Sequence, residues 1–567
     1  MSIIGIDLGT TNSLVAICLD GKPVIVPNSL GDKLTPSIVS VLNKNEIITG
    51  KAAKERLITH PHLTAGSFKR YMGTNKIYSL GNYNFTPVEL SSFIMKSLKA
   101  DAEAYLGTTV TEAVISVPAY FNDVQRRATK QAGELAGLSV ERLINEPTAA
   151  AVAYGLYDNA EEKHLLVFDL GGGTFDVSIL EIFGNIMEVR AVSGNNYLGG
   201  DDFNQCIIDY FIKKTGVEKD KLDLKTLSHI SKQAEICKRS LVKDAEAHMS
   251  CFIGKTEHTI SLSNDKFESI CYELLAEIRR PLQHVIRDSV LKLDEIDEIV
   301  LVGGSTKMHV IRSYVAKLFG RLPLCHLNPD EVVALGTGIY AAIKERNEAF
   351  VEAVVTDVCP FTLGTEVVAI SEFGGYESGH FFPIIERNTV IPYSKVERLY
   401  SIADNQSQIK ISIYQGESRL VKNNIKLGEI VVNIVPAPAG QSSVDVRYTY
   451  DINGILEVEV TSLTTGETKR EVIVNEDCLL TKEEIEQRFK ELAEIKIHPR
   501  DNTKNQYLLA KAERLYEESL SDLRMRIAHE INIFEAVLDR QKPIEIKKAV
   551  SKFEAFLESI DLSGDII

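Results

Sequence analysis

The sequence predicts a multidomain protein with three architectures in series: α/β, then all-β, then α. Three observations predict it. Up to about residue 345, apolar strand-like runs alternate with helical stretches; from Asp357 to about Asn475, short alternating strands and turns take over; from Thr481 to Leu557, nearly everything is helical. The 567 residues are enough for about three to four domains. The boundaries drawn are 1–347, a linker at 348–356, 357–478 and 479–567.

The first segment contains one hairpin written twice. Asp7-Leu8-Gly9-Thr10-Thr11-Asn12 and Asp169-Leu170-Gly171-Gly172-Gly173-Thr174 each follow an apolar strand that ends on a carboxylate. Glycines let successive backbone N–H groups turn toward one anion, Thr hydroxyls add donors, and the strand-end Asp can hold a divalent cation through water. A single Gly-rich turn is weak evidence, since most are structural hairpins. The echo extends further, however: Val114 to Pro118 follows the first hairpin as Ile299 to Ser305 follows the second. Two related halves clamping one nucleotide is the arrangement this predicts.

Helical spacing of Leu90, Phe93, Ile94 and Leu98 predicts a helix over Glu89 to Tyr105. Another spans Gln125 to Gly137, with Gly137 as its stop. Asn328-Pro329-Asp330-Glu331 opens a small-residue helix, Val332 to Arg346, whose Gly336 and Gly338 permit close approach of a neighbour or ligand. In the linker, Val354-Val355 are apolar, which suggests a segment that docks on a domain surface; an ordinary edge strand is the alternative.

Gln408 to Tyr414 places its isoleucines on one face, and Leu456, Val458 and Val460 do the same after the Asn453-Gly454 turn. This is an antiparallel β-sandwich pattern, with Pro436 and Pro438 confined to a loop or edge. Thr481-Lys482-Glu483-Glu484 is a capping box that starts the helical segment, which is interrupted at Pro499 and Pro543 and ends in a frayed tail from Asp561.

A formal charge of −16 provides no basic field for nucleic acid or an anionic membrane, and no apolar run is long enough to span a bilayer. The chain opens directly on a strand, which predicts no secretory leader. Its eight cysteines are scattered without a Cys-x-x-Cys pair, which suits a reducing cytoplasm.

Six segments carry a family resemblance: Gly5 to Ser13, Val117 to Asp123, Ile144 to Gly155, Phe168 to Ser178, Leu301 to Thr306 and Asp404 to Glu417. In order and across nearly the whole chain they resemble signatures of the DnaK-type seventy-kilodalton heat-shock chaperones. Asn388 to Pro392, Lys422 to Ile425 and Tyr450 to Glu457 look closest to the HscC branch. The resemblance implies a duplicated actin-like ATPase domain, a β-sandwich that holds extended hydrophobic peptide, and a short helical lid. It implies ATP and ADP with Mg2+, and K+ as a further candidate ion. The implied partners are unfolded client polypeptides, a J-domain co-chaperone and a nucleotide-exchange factor.

Carried over by position, the resemblance makes Asp7 and Asp169 the magnesium-proximal carboxylates. Gly9, Thr10, Thr11, Asn12, Gly171, Gly172, Gly173 and Thr174 become phosphate contacts. Lys69 matches the lysine near the γ-phosphate, although a lysine is more often a solvated surface group. Glu146 and Asp176 match acidic groups near the attacking water, and Thr174 joins them in the catalytic set. Such a site would work by positioning and charge neutralisation. Glu235, Lys238 and Arg239 match an adenosine-clasping helix, where a solvated charged face is the bland alternative. Gly199, Gly200, Asp201, Gly303, Gly304, Ser305 and Asp330 would complete the walls. Lys307 and Val242 depart from the usual arginine and serine, and Lys307 stacks less well on a base.

Val368, Leu399, Ile402, Ile409 and Ile411 align with the peptide channel, against core packing as the default for apolar strand residues. An insertion between Ala369 and Asn388 and a short lid set this chain apart. Pro118, Arg126, Val354, Val355 and Asp357 match positions that relay the nucleotide state to the sandwich. Two rival classes share the duplicated fold: a sugar or polyol kinase, which leaves residues 357–560 without a role, and a filament-forming cytoskeletal protein, for which the appended domains are awkward.

Overall fold

The computed structural model describes residues 2–43, 46–155, 162–183, 186–324, 326–345, 354–370, 376–451, 456–472, 503–519, 521–540 and 543–563. The chain divides into two compact units, Met1–Val354 and Val355–Ile567.

In the first unit, the first sheet runs through β1 (Ser2–Asp7), β2 (Asn12–Leu19), β3 (Lys22–Ile25), β4 (Val110–Val117) and β5 (Ser139–Asn145), in the order β5-β4-β1-β2-β3, with a short sixth strand, Thr35–Pro36, also paired to β2. β1 pairs antiparallel with β2 and parallel with β4. The second sheet repeats this plan with β6 (Lys163–Leu170), β7 (Phe175–Phe183), β8 (Ile186–Asn195) and β9 (Glu298–Val302), in the order β9-β6-β7-β8. β6 pairs antiparallel with β7 and parallel with β9, and a lone parallel bridge from Val300 to Leu324 stands where the first sheet has β5. The sequence echo is therefore topological: β4 and β9 occupy equivalent places beside their hairpins.

Each half has its own core. Ile4, Ile6, Ile94, Ile115 and Phe121 belong to the first, and Phe168, Phe175, Phe203, Phe211 and Ile299 to the second. Helix α1 (Pro87–Leu106) starts at Thr86, whose hydroxyl accepts from Glu89 N–H while the Glu89 carboxylate accepts from Thr86 N–H, and α2 (Asp123–Leu135) is capped the same way by Asn122 and Gln125. Gly137 follows α2 with φ of +77°, as its stop role requires. Helix α3 (Glu146–Ala153) begins as β5 ends. Helix α4 (Gly200–Thr215) follows β8, and α5 (Leu224–Ser240) lies against it. Helix α6 (Val332–Lys344) packs on α3, β1 and β2. A Cβ on Gly336 would overlap the Ala149 carbonyl, and one on Gly338 would lie 2.9 Å from the Ala16 Cβ. These glycines serve close packing with neighbours.

Strand β10 (Val354–Val358) starts on the last residue of the first unit, and within the second unit its Asp357 and Val358 pair with Ile391 and Val390. Val354 and Val355 are the first two residues of this strand. The sandwich comprises β11 (Leu363–Ile370), β12 (Tyr376–Ile385), β13 (Tyr393–Tyr400), β14 (Gln408–Gln415), β15 (Ile425–Asn433), β16 (Ser443–Tyr450), β17 (Leu456–Ser462) and β18 (Thr468–Val472). Its two sheets run β12-β11-β14-β15 and β13-β16-β17-β18. Ile409, Ile411 and Ile413 meet Val444, Val446, Leu456, Val458 and Val460 in one core, so the period-2 pattern locates the buried face correctly.

Helices α7 (Thr503–Glu518), α8 (Ser521–Arg540) and α9 (Pro543–Ser563) pack around Leu515, Ile527, Phe534, Phe553 and Leu557. Pro543 opens α9, where its missing N–H costs nothing. Asp561 belongs to that helix instead of a frayed tail. The Thr481 capping box, Pro499, the Asn453-Gly454 turn and the Phe373-Gly374-Gly375 part of the insertion lie outside the described residues. Among the described residues no helix is long and apolar enough to cross a membrane.

Candidate functional site

A cavity of about 340 Å3 opens between the two halves of the first unit. Asp7, Gly9, Thr10, Thr11 and Asn12 line it from the first half; Asp169, Gly171, Gly172 and Thr174 face them from the second. The hairpins touch directly. A Cβ on Gly172 would overlap the Thr11 hydroxyl, so only glycine admits this approach.

Each hairpin is braced from behind. Gly9 N–H donates to Ser13 Oγ at 3.2 Å and the Gly9 carbonyl accepts from Ser37 Oγ at 2.7 Å. In the second hairpin the Gly171 carbonyl accepts from Gly200 N–H at 3.0 Å and from Ser305 Oγ at 2.8 Å, while Asp201 N–H donates to the Gly172 carbonyl at 2.8 Å. The first amides of α4 are spent on the hairpin. Gly199 and Gly200 meet the back of the second hairpin, and Gly173 lies against Thr10 and Arg70; the lining itself is formed by their neighbours Gly171, Gly172, Thr174 and Asp201.

Lys69 lies on a short turn, Phe68–Tyr71, and Glu146 is the first residue of α3. Lys69 Nζ stands 2.8 Å from Glu146 Oε1, with both side chains buried. The solvated-lysine alternative does not describe it. Burial alone would lower the Lys69 pKa, but Glu146, Asp7 and Asp169 together raise it. Asp7 accepts from Ser116 Oγ at 2.8 Å, yet burial and then the nearby Glu146 charge raise it to about 7. Asp169 is pushed well above the usual carboxylate range by burial, then by Glu146, Asp176 and Asp7. Asp176 is pushed to about 8 by burial and Glu146. It pairs across the hairpin with Asp169 and does not itself line the cavity.

This donor set fits a divalent cation. Several oxygen-bearing, buried carboxylates repel one another with one lysine between them, and one oxygen of Asp176 has no hydrogen-bond partner among the described residues. A hard cation would favour their ionised forms.

At the other end of the cavity, Glu235, Lys238 and Arg239 project from α5, opposite Gly303, Gly304, Ser305 and Asp330. Glu235 is 2.7 Å from Lys238 Nζ and 3.2 Å from Arg239 Nε, and it accepts from Asn204 at 2.8 Å. Burial would raise Glu235, but Lys238 and these hydrogen bonds bring it below its ordinary value. Lys238 also donates to the Gly200 carbonyl at 2.9 Å. Arg239 is largely exposed apart from its pair with Glu235. Lys307 is held in an ion pair with Asp330. Leu14, Leu34, Lys243, Met308 and Val333 also line the cavity; they lie outside the recognisable motifs, and no sequence signal pointed to them.

Of the positions expected from the resemblance to relay the nucleotide state, Arg126 is buried and donates to the Ala119 and Phe121 carbonyls and, at 2.8 Å, to Asn145 Oδ1 beside Glu146. Pro118 lies buried at the end of β4. The Asp357 carboxylate accepts from Val358 N–H at 2.8 Å. In the sandwich, Ile409 and Ile411 are in the core, Leu399 packs against it, Val368 is half-buried on β11, and Ile402 is 50% exposed.

A family profile described as "Hsp70 protein" matches residues 3–79 and 75–562. The chain is 39% identical over 573 aligned residues to the chaperone protein DnaK of Thermotoga neapolitana, covering 96% of this chain and 94% of that protein. The actin-like duplication, the sandwich and the helical segment all accord with this match, and the chain belongs to the Hsp70 family of ATP-dependent chaperones, ATPases that bind unfolded polypeptides.

Proposed function

We propose that the protein is an ATP-driven peptide clamp in which the doubled hairpin grips the phosphates and Lys69 with Glu146 governs hydrolysis. The observation that carries this reading is the buried 2.8 Å Lys69–Glu146 pair in the cavity that both hairpins line. Backbone N–H groups of Gly9 to Asn12 and Gly171 to Thr174 orient the phosphate chain. Lys69 offsets charge at the terminal phosphate, Glu146 orients the attacking water, and Asp176 and Thr174 support it. Asp7 and Asp169 would hold Mg2+, which when bound would supply positive charge against the phosphates. Glu235, Lys238, Arg239 and Asp330 clasp the nucleoside, and K+ is a further ion this donor-rich cleft suits.

The linker at 348–356, with Pro118, Arg126, Val354, Val355 and Asp357, relays the nucleotide state to the sandwich at 357–478 and the helical lid at 479–567. Extended hydrophobic peptide is held near Val368, Leu399 and Ile402, with Ile409 and Ile411 forming the floor beneath. A J-domain co-chaperone and a nucleotide-exchange factor set the cycle's pace in the cytoplasm, and the Asn388 to Pro392 and Tyr450 to Glu457 segments favour the HscC branch. ATP hydrolysis measured with and without a short hydrophobic peptide tests this reading. Peptide-stimulated turnover supports it, and turnover indifferent to peptide contradicts it.

A further inference from the structure

The turn that carries Lys69 also carries Arg70, and the two side chains serve different halves of the cleft. Lys69 meets Glu146 within the first half. Arg70 reaches the second: its Nε donates to the Gly173 carbonyl at 2.8 Å, its Nη2 donates to the Tyr197 carbonyl at 2.7 Å, and the same nitrogen pairs with the Asp202 carboxylate. Asp202 in turn accepts from Gly199 N–H at 2.7 Å, at the start of α4. Three acceptors on the phosphate hairpin, the loop before α4 and the first turn of α4 thus converge on one guanidinium, which is 14% exposed.

The neighbouring contacts fit a built strap. Ser67, in the left-handed region with φ of +54°, donates to Asp201 Oδ2 at 2.8 Å. A Cβ on Gly173 would lie 2.7 Å from the Arg70 Cγ, so the hairpin needs glycine there for the arginine stem to pass. A planar fork can serve divergent acceptors at once, whereas a lysine ammonium is a compact point charge on a flexible stem.

We propose that Arg70 is a positioning residue that straps the second phosphate hairpin to the turn bearing Lys69, and that breaking this strap is part of nucleotide release. The inference rests on the reading of the cleft as the ATP site. With the strap made, Lys69 and Thr174 are held toward the same phosphate. With it broken, the halves separate and the hairpin loses its registration with Lys69.

The test uses the full-length chain with Mg2+ and a fluorescent ADP analogue. Stopped-flow release and single-turnover ATP hydrolysis are measured for wild type, Arg70→Ala, Arg70→Lys and Asp202→Asn, alongside thermal midpoints without nucleotide. Arg70→Ala is expected to release ADP at least about tenfold faster and to hydrolyse bound ATP at least about fivefold more slowly. Arg70→Lys should restore neither rate fully, and the double variant with Asp202→Asn should release no faster than Arg70→Ala, because both changes cut one strap. A purely structural role would lower the thermal midpoint without changing either rate. Release and hydrolysis within about twofold of wild type in both Arg70 variants would overturn the proposal. Failure of the wild type to bind and hydrolyse ATP would instead remove the site reading on which it rests.

Discussion

Lys69 and Glu146, 77 residues apart in sequence, form a buried ion pair at 2.8 Å in the wall of the cavity that both hairpins line. Removing one partner leaves the other charge buried and unpaired, at a typical cost of about 3–5 kcal/mol. Lys69→Met should therefore lower unfolding free energy by roughly that amount and reduce turnover at least about a hundredfold. Lys69→Met with Glu146→Gln should recover part of the stability and none of the turnover. Denaturant unfolding and steady-state ATPase assays check both, and recovery of turnover in the double variant would contradict the catalytic assignment.

Thr174→Ala should depress turnover more than nucleotide affinity, because the hairpin's backbone donors remain in place. Single-turnover hydrolysis and equilibrium ADP binding separate the two effects. Equal loss of both would make Thr174 a binding residue.

Gly172→Ala should weaken ADP binding at least about tenfold, since its methyl group has no room beside Thr11 and the hairpins must part. Titration calorimetry measures this directly, and unchanged affinity would mean that the hairpin contact is dispensable.

Asp176 has a carboxyl raised to about 8 in the folded protein from 3.8, first by burial and then by Glu146. A raised carboxyl pKa means the folded state favours the protonated form. The residue therefore opposes folding most above its folded pKa, and the penalty fades as pH falls toward the unfolded value. Asp176→Asn should raise the thermal midpoint of the nucleotide-free, EDTA-treated protein at about pH 8.5 and by much less at about pH 5. Scanning calorimetry at both pH values checks the sign; a larger gain at the lower pH would contradict it.

Ile402 and Ile409 should separate peptide contact from core packing. Ile402→Asp, on an exposed side chain, should weaken peptide binding with little change in stability, whereas Ile409→Asp should unfold the sandwich. Fluorescence anisotropy with a labelled peptide, combined with circular dichroism, distinguishes them.

The sequence carried the hairpins, the strand faces and the order of architectures because each has a local signature: glycines at a close approach, isoleucines at period two, a capping residue before an apolar run. Lys69 and Glu146 were recognisable only through family motifs, since nothing local reveals that residues 77 apart meet. The roles of Gly199 and Gly200 as braces, of Ser13 and Ser37 behind the first hairpin, and of Arg70 across the cleft depend on tertiary contacts. Long-range hydrogen bonds leave no periodicity to read. Val354 and Val355 show the ambiguity of short apolar runs, where a docking linker and an edge strand share one composition.

The central claim is that the ATP state of the first unit controls peptide held by the second. Its most direct test is the dissociation rate of a prebound fluorescent peptide from the full-length chain on mixing with saturating MgATP. Coupling of about 1–3 kcal/mol predicts peptide affinity lower by roughly five- to 150-fold, seen chiefly as faster release. A release rate unchanged by ATP, in protein that hydrolyses ATP normally, would contradict the clamp.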